Sequence, residues 1–404
     1  MDSGGSGVIS NPKSDEKFLE SGGYHHDSSN NNHYDHHRRH NFSSVAVNIT
    51  LLFLVLGITC LALNKSPYDP TRLFQRSYNS FSGPKADSIT TPNLSSPSSD
   101  NINHGPMQEN VTSQNLPSPA NEENKLLDTL RKAAMMDNKT VIITTLNAAW
   151  TEPNSIFDLF LESFRIGIGT QHLLKHVLVV SLDQKAYSRC LQENLHCYAL
   201  TTEGVDFSGE AYFMTEDYLK MMWRRIDFLR IVLDMGYDFV FTDADVMWFR
   251  DPFERFYGDG DFQIACDHYW FNSTDLNNSP NGGFNYVKSN NRTIQFYKFW
   301  YAGQQYFPGK HDQDVLNMIK FDPFIQRIGL KIRFLDTAYF GGFCEPKDDM
   351  DLAITMHANC CIGLENKIHD IKIVIDDWKR YMSLPGGVER NLSSRSWTLP
   401  RNCR

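Results

Sequence analysis

The chain predicts an α/β fold, a mixed sheet flanked by helices, standing behind one N-terminal membrane-spanning helix. Three observations carry this. Apolar, β-favouring runs of buried-strand length (TVIITTL at 140–146, HVLVVSL at 176–182, DFVFT at 238–242) alternate with helical stretches, the pattern of a parallel sheet. Val45–Leu63 is a nineteen-residue, mostly apolar run without a charge, about 28 Å long as a helix and close to the roughly 30 Å of a bilayer core. The composition also changes sharply along the chain, from polar and proline-rich before residue 122 to mixed and aromatic after it.

Residues 1–44 are rich in Ser, Gly, Asn and His and poor in apolar groups, so they read as a disordered cytosolic tail. Six of the fourteen histidines lie there, more simply a solvated polar tract than a metal site. The tail is too long, and Val45–Leu63 too extended, for a cleaved signal peptide; the run reads as a signal anchor. Arg38 and Arg39 precede it while Lys65, Arg72 and Arg76 follow, so basic residues alone do not orient it. A lumenal C-terminal portion is favoured by Asn-x-Ser/Thr acceptors at Asn93, Asn110, Asn138, Asn272, Asn291 and Asn391. Seven of eight cysteines beyond the span point the same way. Cys190 and Cys197 are close enough to staple a loop, and seven being odd, at least one thiol stays free or pairs between chains. Residues 64–121 hold eight of the seventeen prolines and read as a stalk, leaving 122–404 as the folded lumenal domain. The net charge of −9 argues against nucleic acid as a partner.

Within the domain, helix 121–136 is followed by strand 140–146 and then Asn147-Ala148-Ala149-Trp150, where a polar group and a ring could meet a nucleobase or simply pack. Helix 155–167, strand 176–182, helix 184–194 and strand 197–200 continue the alternation. A long helix, 215–235, sets Met222, Ile226, Leu229 and Leu233 at core spacing. Of its Arg224, Arg225 and Arg230, two read as surface charges and one could reach a diphosphate. Gly236 leads into the strand that ends at Asp243-Ala244-Asp245. Alternate residues of an extended segment share a face, so the two carboxylates are expected side by side at the carboxyl end of a strand, where open α/β sheets bind ligands. Two such carboxylates repel unless a cation sits between them, and Mg2+ or Mn2+ suits an all-oxygen pair. After strand 262–267 come Asn281-Gly282-Gly283, read as a glycine turn that lets backbone approach a ligand, and an aromatic-rich helix at 291–303. His311-Asp312-Gln313-Asp314 opens a further helix. The acidic residues could complement the helix dipole, but Gln313 between them is not explained that way. Strand 331–335, the loop with Gly341 and Gly342, the apolar run ending at His357, and helix 364–382 complete the domain; His357 supplies the neutral third ligand an acidic pair would need.

Together the blocks FTDADVMWFRDPF, NGGFNYVKS, HDQDVLN and HANCC resemble the plant nucleotide-diphospho-sugar transferases of glycosyltransferase family 77, over about residues 138–382. The resemblance implies a GT-A glycosyltransferase fold with a Rossmann-like sheet, and a single-pass type II Golgi membrane topology. It also implies a nucleotide-sugar donor, usually a UDP-sugar with Mn2+ (or Mg2+), and retention of configuration. Its acceptors would be cell-wall polysaccharide or glycoprotein. Carried over by residue, Asp243, Ala244 and Asp245 look like the metal and diphosphate motif, with His357 as the further metal ligand. Asn281, Gly282 and Gly283 look like the donor-sugar floor, Asp312 and Gln313 like the pair facing the reacting sugar, and Asn147 like a nucleoside contact. Two other readings compete: an Mg-dependent haloacid-dehalogenase-type phosphatase with an aspartyl nucleophile, and a membrane-tethered glycan-binding relative without turnover.

Overall fold

A computed structural model describes residues 119–202, 204–347, 349–384 and 395–403. The expected tail, membrane span and nearly all of the stalk lie outside these. Among the described residues no helix is long and apolar enough to cross a membrane.

The first helix, α1 (Pro119–Ala133), begins two residues before the start expected at 121. Its Leu126, Leu130 and Ala133 are buried. Then follow β1 (Thr140–Leu146), α2 (Ile156–Ile166), β2 (Val177–Ser181), α3 (Gln184–Gln192) and β3 (His196–Ala199). Next come α4 (Glu216–Asp234), β4 (Asp238–Thr242), β5 (Val246–Trp248), β6 (Phe262–His268) and β7 (Ser279–Val287). The chain closes with α5 (Asn291–Tyr306), α6 (Asp312–Ile319), α7 (Pro323–Arg327), β8 (Ile332–Phe334), β9 (Phe340–Gly342), β10 (Thr355–His357) and α8 (Leu364–Ser383).

Seven strands form one sheet in the order β3-β2-β1-β4-β7-β6-β8. β3, β2, β1 and β4 are mutually parallel, and β7 runs antiparallel between β4 and β6. β4 and β6 therefore point the same way and end at the same edge. β4 is buried from Phe239 onward, as expected of a central strand covered on both faces. A second sheet of three short strands, β5-β10-β9, takes the chain as it leaves β4. Its β5 is clamped by aromatic stacking: Trp248 lies against Phe164 of α2 (ring centroids 4.6 Å), and the next residue, Phe249, against Trp378 of α8 (4.6 Å). Ser163 Oγ accepts the Trp248 N–H at 2.9 Å.

Among the described residues there are three disulfides: Cys190–Cys197, as the spacing suggested, Cys344–Cys360 and Cys361–Cys403. The odd thiol among the described residues is Cys266, buried in β6, where desolvation pushes its pKa up and leaves it unreactive.

Candidate active site

β4 ends at Thr242 and the chain turns through Asp243-Ala244-Asp245, the Val246 N–H donating to the Asp243 carbonyl at 3.2 Å. The carboxylates meet because the backbone turns, not because residues alternate along a strand, which corrects the geometry expected from sequence. Ala244 is fully buried and borders a cleft. The Asp243 N–H donates to the Gly283 carbonyl at 2.7 Å, extending the ladder that sets Thr242 opposite Phe284. Asn281, Gly282 and Gly283 accordingly lie in β7 and form no turn, a second correction to the sequence reading: the paired glycines sit within a strand beside the site. A Cβ on Gly283 would stand 2.4 Å from His357 Cε1 and 2.7 Å from Asp243 Oδ2. On Gly282 it would meet nothing nearer than 3.5 Å, in the space bounded by Arg225, Asp312 and Gln313.

His357 arrives from the small sheet, where β10 pairs antiparallel with β5 and the Ala358 N–H donates to the Asp245 carbonyl at 3.1 Å. Asp243, Asp245 and His357 each place one ligating atom within 4.8 Å of the others. Asp245 Oδ1 is 3.1 Å from His357 Nε2 yet accepts no hydrogen bond, although it is buried. Its Oδ2 takes the Lys367 ammonium at 2.5 Å. Burial alone would raise the Asp245 pKa, but Lys367 and then His357 outweigh it and hold the carboxyl well below the carboxylate range. Asp243 is pushed the other way, by burial above all and by the Asp245 charge, with Arg225 only partly offsetting. An ionised, buried, unsatisfied oxygen beside a second carboxylate and an imidazole is a donor set that fits a hard divalent cation.

Arg225 is the one arginine of α4 that reaches this site. Its guanidinium, 6% exposed, bridges Asp243 (3.0 Å) and Asp312 (2.6 Å) and lies over the Phe241 ring. Arg224 and Arg230 pair with Asp227 and Asp234 on the outer face. Asp312 is buried as the first residue of α6. Burial would raise its pKa, but Arg225 brings it below the usual value. Gln313 Oε1 accepts the Gly282 N–H at 2.8 Å, and its Nε2 donates to Asp267 Oδ2 at 3.0 Å. Asp267 Oδ1 in turn accepts from Asn281 Nδ2 and Asn359 Nδ2, each at 2.8 Å. Nine of the ten expected residues thus come together around one strand end. The tenth, Asn147, lines the same cleft from the end of β1, where it caps the short turn carrying Trp150. Its Nδ2 donates to the Gly209 carbonyl (2.8 Å) and its Oδ1 accepts the Trp150 N–H (3.2 Å), which fixes the amide and leaves one N–H and one lone pair for a ligand.

Sequence reasoning missed Lys367 and Asp267 and did not choose among the arginines. For Lys367 a signal existed: a cation in the first turn of α8 opposes the helix dipole and needs another reason to be there. Asp267, next to the end of β6, carried none that distinguishes it from a solvated strand end.

The pattern of the nucleotide-diphospho-sugar transferase family matches residues 172–371. An uncharacterized protein of Arabidopsis thaliana is 52% identical over 283 residues, 70% of this chain and 74% of its own length. The chain belongs to the nucleotide-diphospho-sugar transferase family. In a member of this family, glycosyl transfer from a nucleotide-sugar is the chemistry the cleft serves, and the phosphatase alternative falls away. The parallel-rich mixed sheet is the GT-A-like arrangement expected. A UDP-D-xylose:L-fucose alpha-1,3-D-xylosyltransferase of Arabidopsis thaliana is similar at 26% identity over 34% of this chain and 36% of its own length. Mouse xyloside xylosyltransferase 1 superposes with 14% identity over 55% of this chain and 98% of that one, with a TM-score of 0.33, too low to bear on fold or chemistry.

Proposed function

We propose that the protein is a metal-dependent, retaining glycosyltransferase that moves a sugar from a UDP-sugar to a cell-wall polysaccharide or glycoprotein. In this reading, residues 45–63 anchor it in the Golgi membrane with the folded domain lumenal. The observation that carries the reading is the unsatisfied Asp245 Oδ1, buried between His357 and the Asp243 carboxylate at the mouth of a cleft. Asp243, Asp245 and His357 would hold Mn2+ or Mg2+, which supplies Lewis-acid neutralisation of a diphosphate. The three disulfides and the Asn272-Ser273-Thr274 tripeptide, exposed at Asn272 and Thr274, support the lumenal placement.

The chain's own groups divide the remaining work. Lys367, held at the cleft wall by Asp245 and lying 5.8 Å over the Trp150 ring, adds positive charge where a departing diphosphate would gather negative charge. Arg225 fixes Asp243 and Asp312 in one line. Gly282 leaves room for a sugar ring between Arg225, Asp312 and Gln313. Gln313 is a neutral amide and a poor nucleophile; its Oε1, with one lone pair on the Gly282 N–H, keeps the other for an oxocarbenium-like centre. Same-face attack, with the leaving phosphate accepting the acceptor's proton, needs no enzymic nucleophile.

The test is nucleotide release from a panel of UDP-sugars by the purified lumenal protein with Mn2+. UDP-xylose comes first, given the donor named for the Arabidopsis relative. Release that EDTA stops and Mn2+ restores is the expected result. Calorimetric binding of a donor without any turnover would favour the glycan-binding relative instead.

A further inference from the structure

β6 ends beside Asp267, and the chain then enters the loop 269–278, which is held from within. Asn278, fully buried, accepts the Trp270 N–H at 2.6 Å and donates to the carbonyls of Asn272 (2.7 Å) and Asp275 (2.8 Å). On this fixed loop Trp270 is 62% and Phe271 83% exposed. Phe271 also has a φ of +57°, a conformation bulky residues rarely adopt. A pinned loop that holds two large rings outward, one in a strained conformation, is a surface that something covers. The next residue is Asn272, first of Asn272-Ser273-Thr274. Asn272 and Thr274 are both exposed, and the Thr274 hydroxyl donates to Asn272 Oδ1 at 2.9 Å.

Among the described residues the same tripeptide starts at Asn138, Asn277 and Asn291, and none matches this setting. Thr140 lies buried in β1. Ser279 opens β7 directly before Pro280, behind the buried Asn278. Thr293 is fully buried, its hydroxyl donating to the Lys288 carbonyl at 2.6 Å. Among these, Asn272 alone directly follows exposed aromatic rings and has an exposed hydroxyl residue two positions on.

We propose that Asn272 carries an N-linked glycan whose first sugar rings lie on Trp270 and Phe271. The apolar C–H face of a pyranose suits an aromatic face, and the rings immediately precede the attachment point. In the transfer step, the Asn272 amide nitrogen attacks the anomeric carbon of a lipid diphosphate-linked oligosaccharide. A C–N bond forms, the anomeric C–O bond breaks with its electron pair leaving on the lipid diphosphate, and the amide gives up one proton. The inference rests on the lumenal placement proposed above.

The full-length chain, extended by a C-terminal reporter glycosylation sequence and expressed in eukaryotic cells, tests it by peptide mapping after enzymatic deglycosylation in heavy-oxygen water. Label on both Asn272 and the reporter is expected. A labelled reporter with a bare Asn272 overturns this site alone; a bare reporter overturns the lumenal placement and the site with it. For the contact with the rings, Asn272→Gln is compared in the wild-type and Trp270→Ala backgrounds. Loss of the glycan should lower Tm by about 2 °C when Trp270 is present and by less when it is absent. In protein made under tunicamycin, that dependence on Trp270 should vanish. Equal shifts in both backgrounds, or the same dependence without any glycan, would remove the stacking from the proposal.

Discussion

Two neighbouring glycines of β7 make opposite demands. Gly283→Ala drives a methyl into the ends of the His357 and Asp243 side chains and displaces them from their present positions, so activity should fall by about a hundredfold or more with the fold intact. Gly282→Ala meets no clash and should act mainly by occupying the sugar floor, raising the donor KM ahead of any fall in kcat; steady-state kinetics separates the two. Asp245→Ala should abolish transfer, whereas Gln313→Ala should leave measurable turnover, because a neutral amide assists a cationic centre without bonding to it. Equal loss in both would count against that scheme. Much of this site was legible from residues alone: an acidic pair after an apolar strand, a histidine at the end of another, and a glutamine between aspartates. What could not be read was contact between distant elements. On α4 the helical period sends Arg224 away from the apolar stripe but leaves Arg225 and Arg230 on its two flanks, and only the packing of α6 against α4 chooses Arg225.

At the scale of elements, residues 398–403 are bound to α8 by two buried carboxylates, Asp377 on Thr398 and Asp370 on Arg401–Cys403, and by one disulfide. Asp370 Oδ2 accepts the backbone N–H groups of Arg401 (3.0 Å), Asn402 (2.9 Å) and Cys403 (2.8 Å), while Cys403 is bonded to Cys361. Burial would raise the Asp370 pKa, but these donors, with His369 beside it, bring it below the ordinary value. A carboxyl depressed in the folded state contributes stability above its unfolded pKa of about 3.9, and that contribution is lost as pH falls through the lower folded value. Asp370→Asn should therefore cost about 1–3 kcal/mol in urea unfolding at pH 7 and show a shallower loss of stability below about pH 4 than the wild type. Replacing Cys361 and Cys403 by serine should cost roughly 3–4 kcal/mol if chain entropy dominates. Helices and strands were largely legible because their apolar periods are strong; most boundaries fell within a residue or two. The errors sit where backbone leaves the regular pattern. Asp243–Asp245 form a turn where a strand was expected to continue, and glycines that suggested a turn lie in a strand, because propensity knows nothing of β7 running against β4.

For the molecule as a whole, α1 belongs to the folded domain. Removing residues 119–135 uncovers the surface that Leu126, Leu130 and Ala133 protect, and should lower stability by several kcal/mol at about 1.5–3 kcal/mol per large apolar side chain. Thermal unfolding of a fragment beginning at residue 109 against one beginning at 136 measures this, and a fragment cut at 122 would already trim the helix. Asp243 is delivered by the seven-stranded sheet and His357 by the three-stranded one, so the ligand set has no existence in either sheet alone. On the metal-dependent reading proposed above, a chain still assembling carries these groups scattered and would have nowhere to seat an ion. Maturation and switching on would then be one event, a half-made molecule staying chemically silent toward the sugar pool around it.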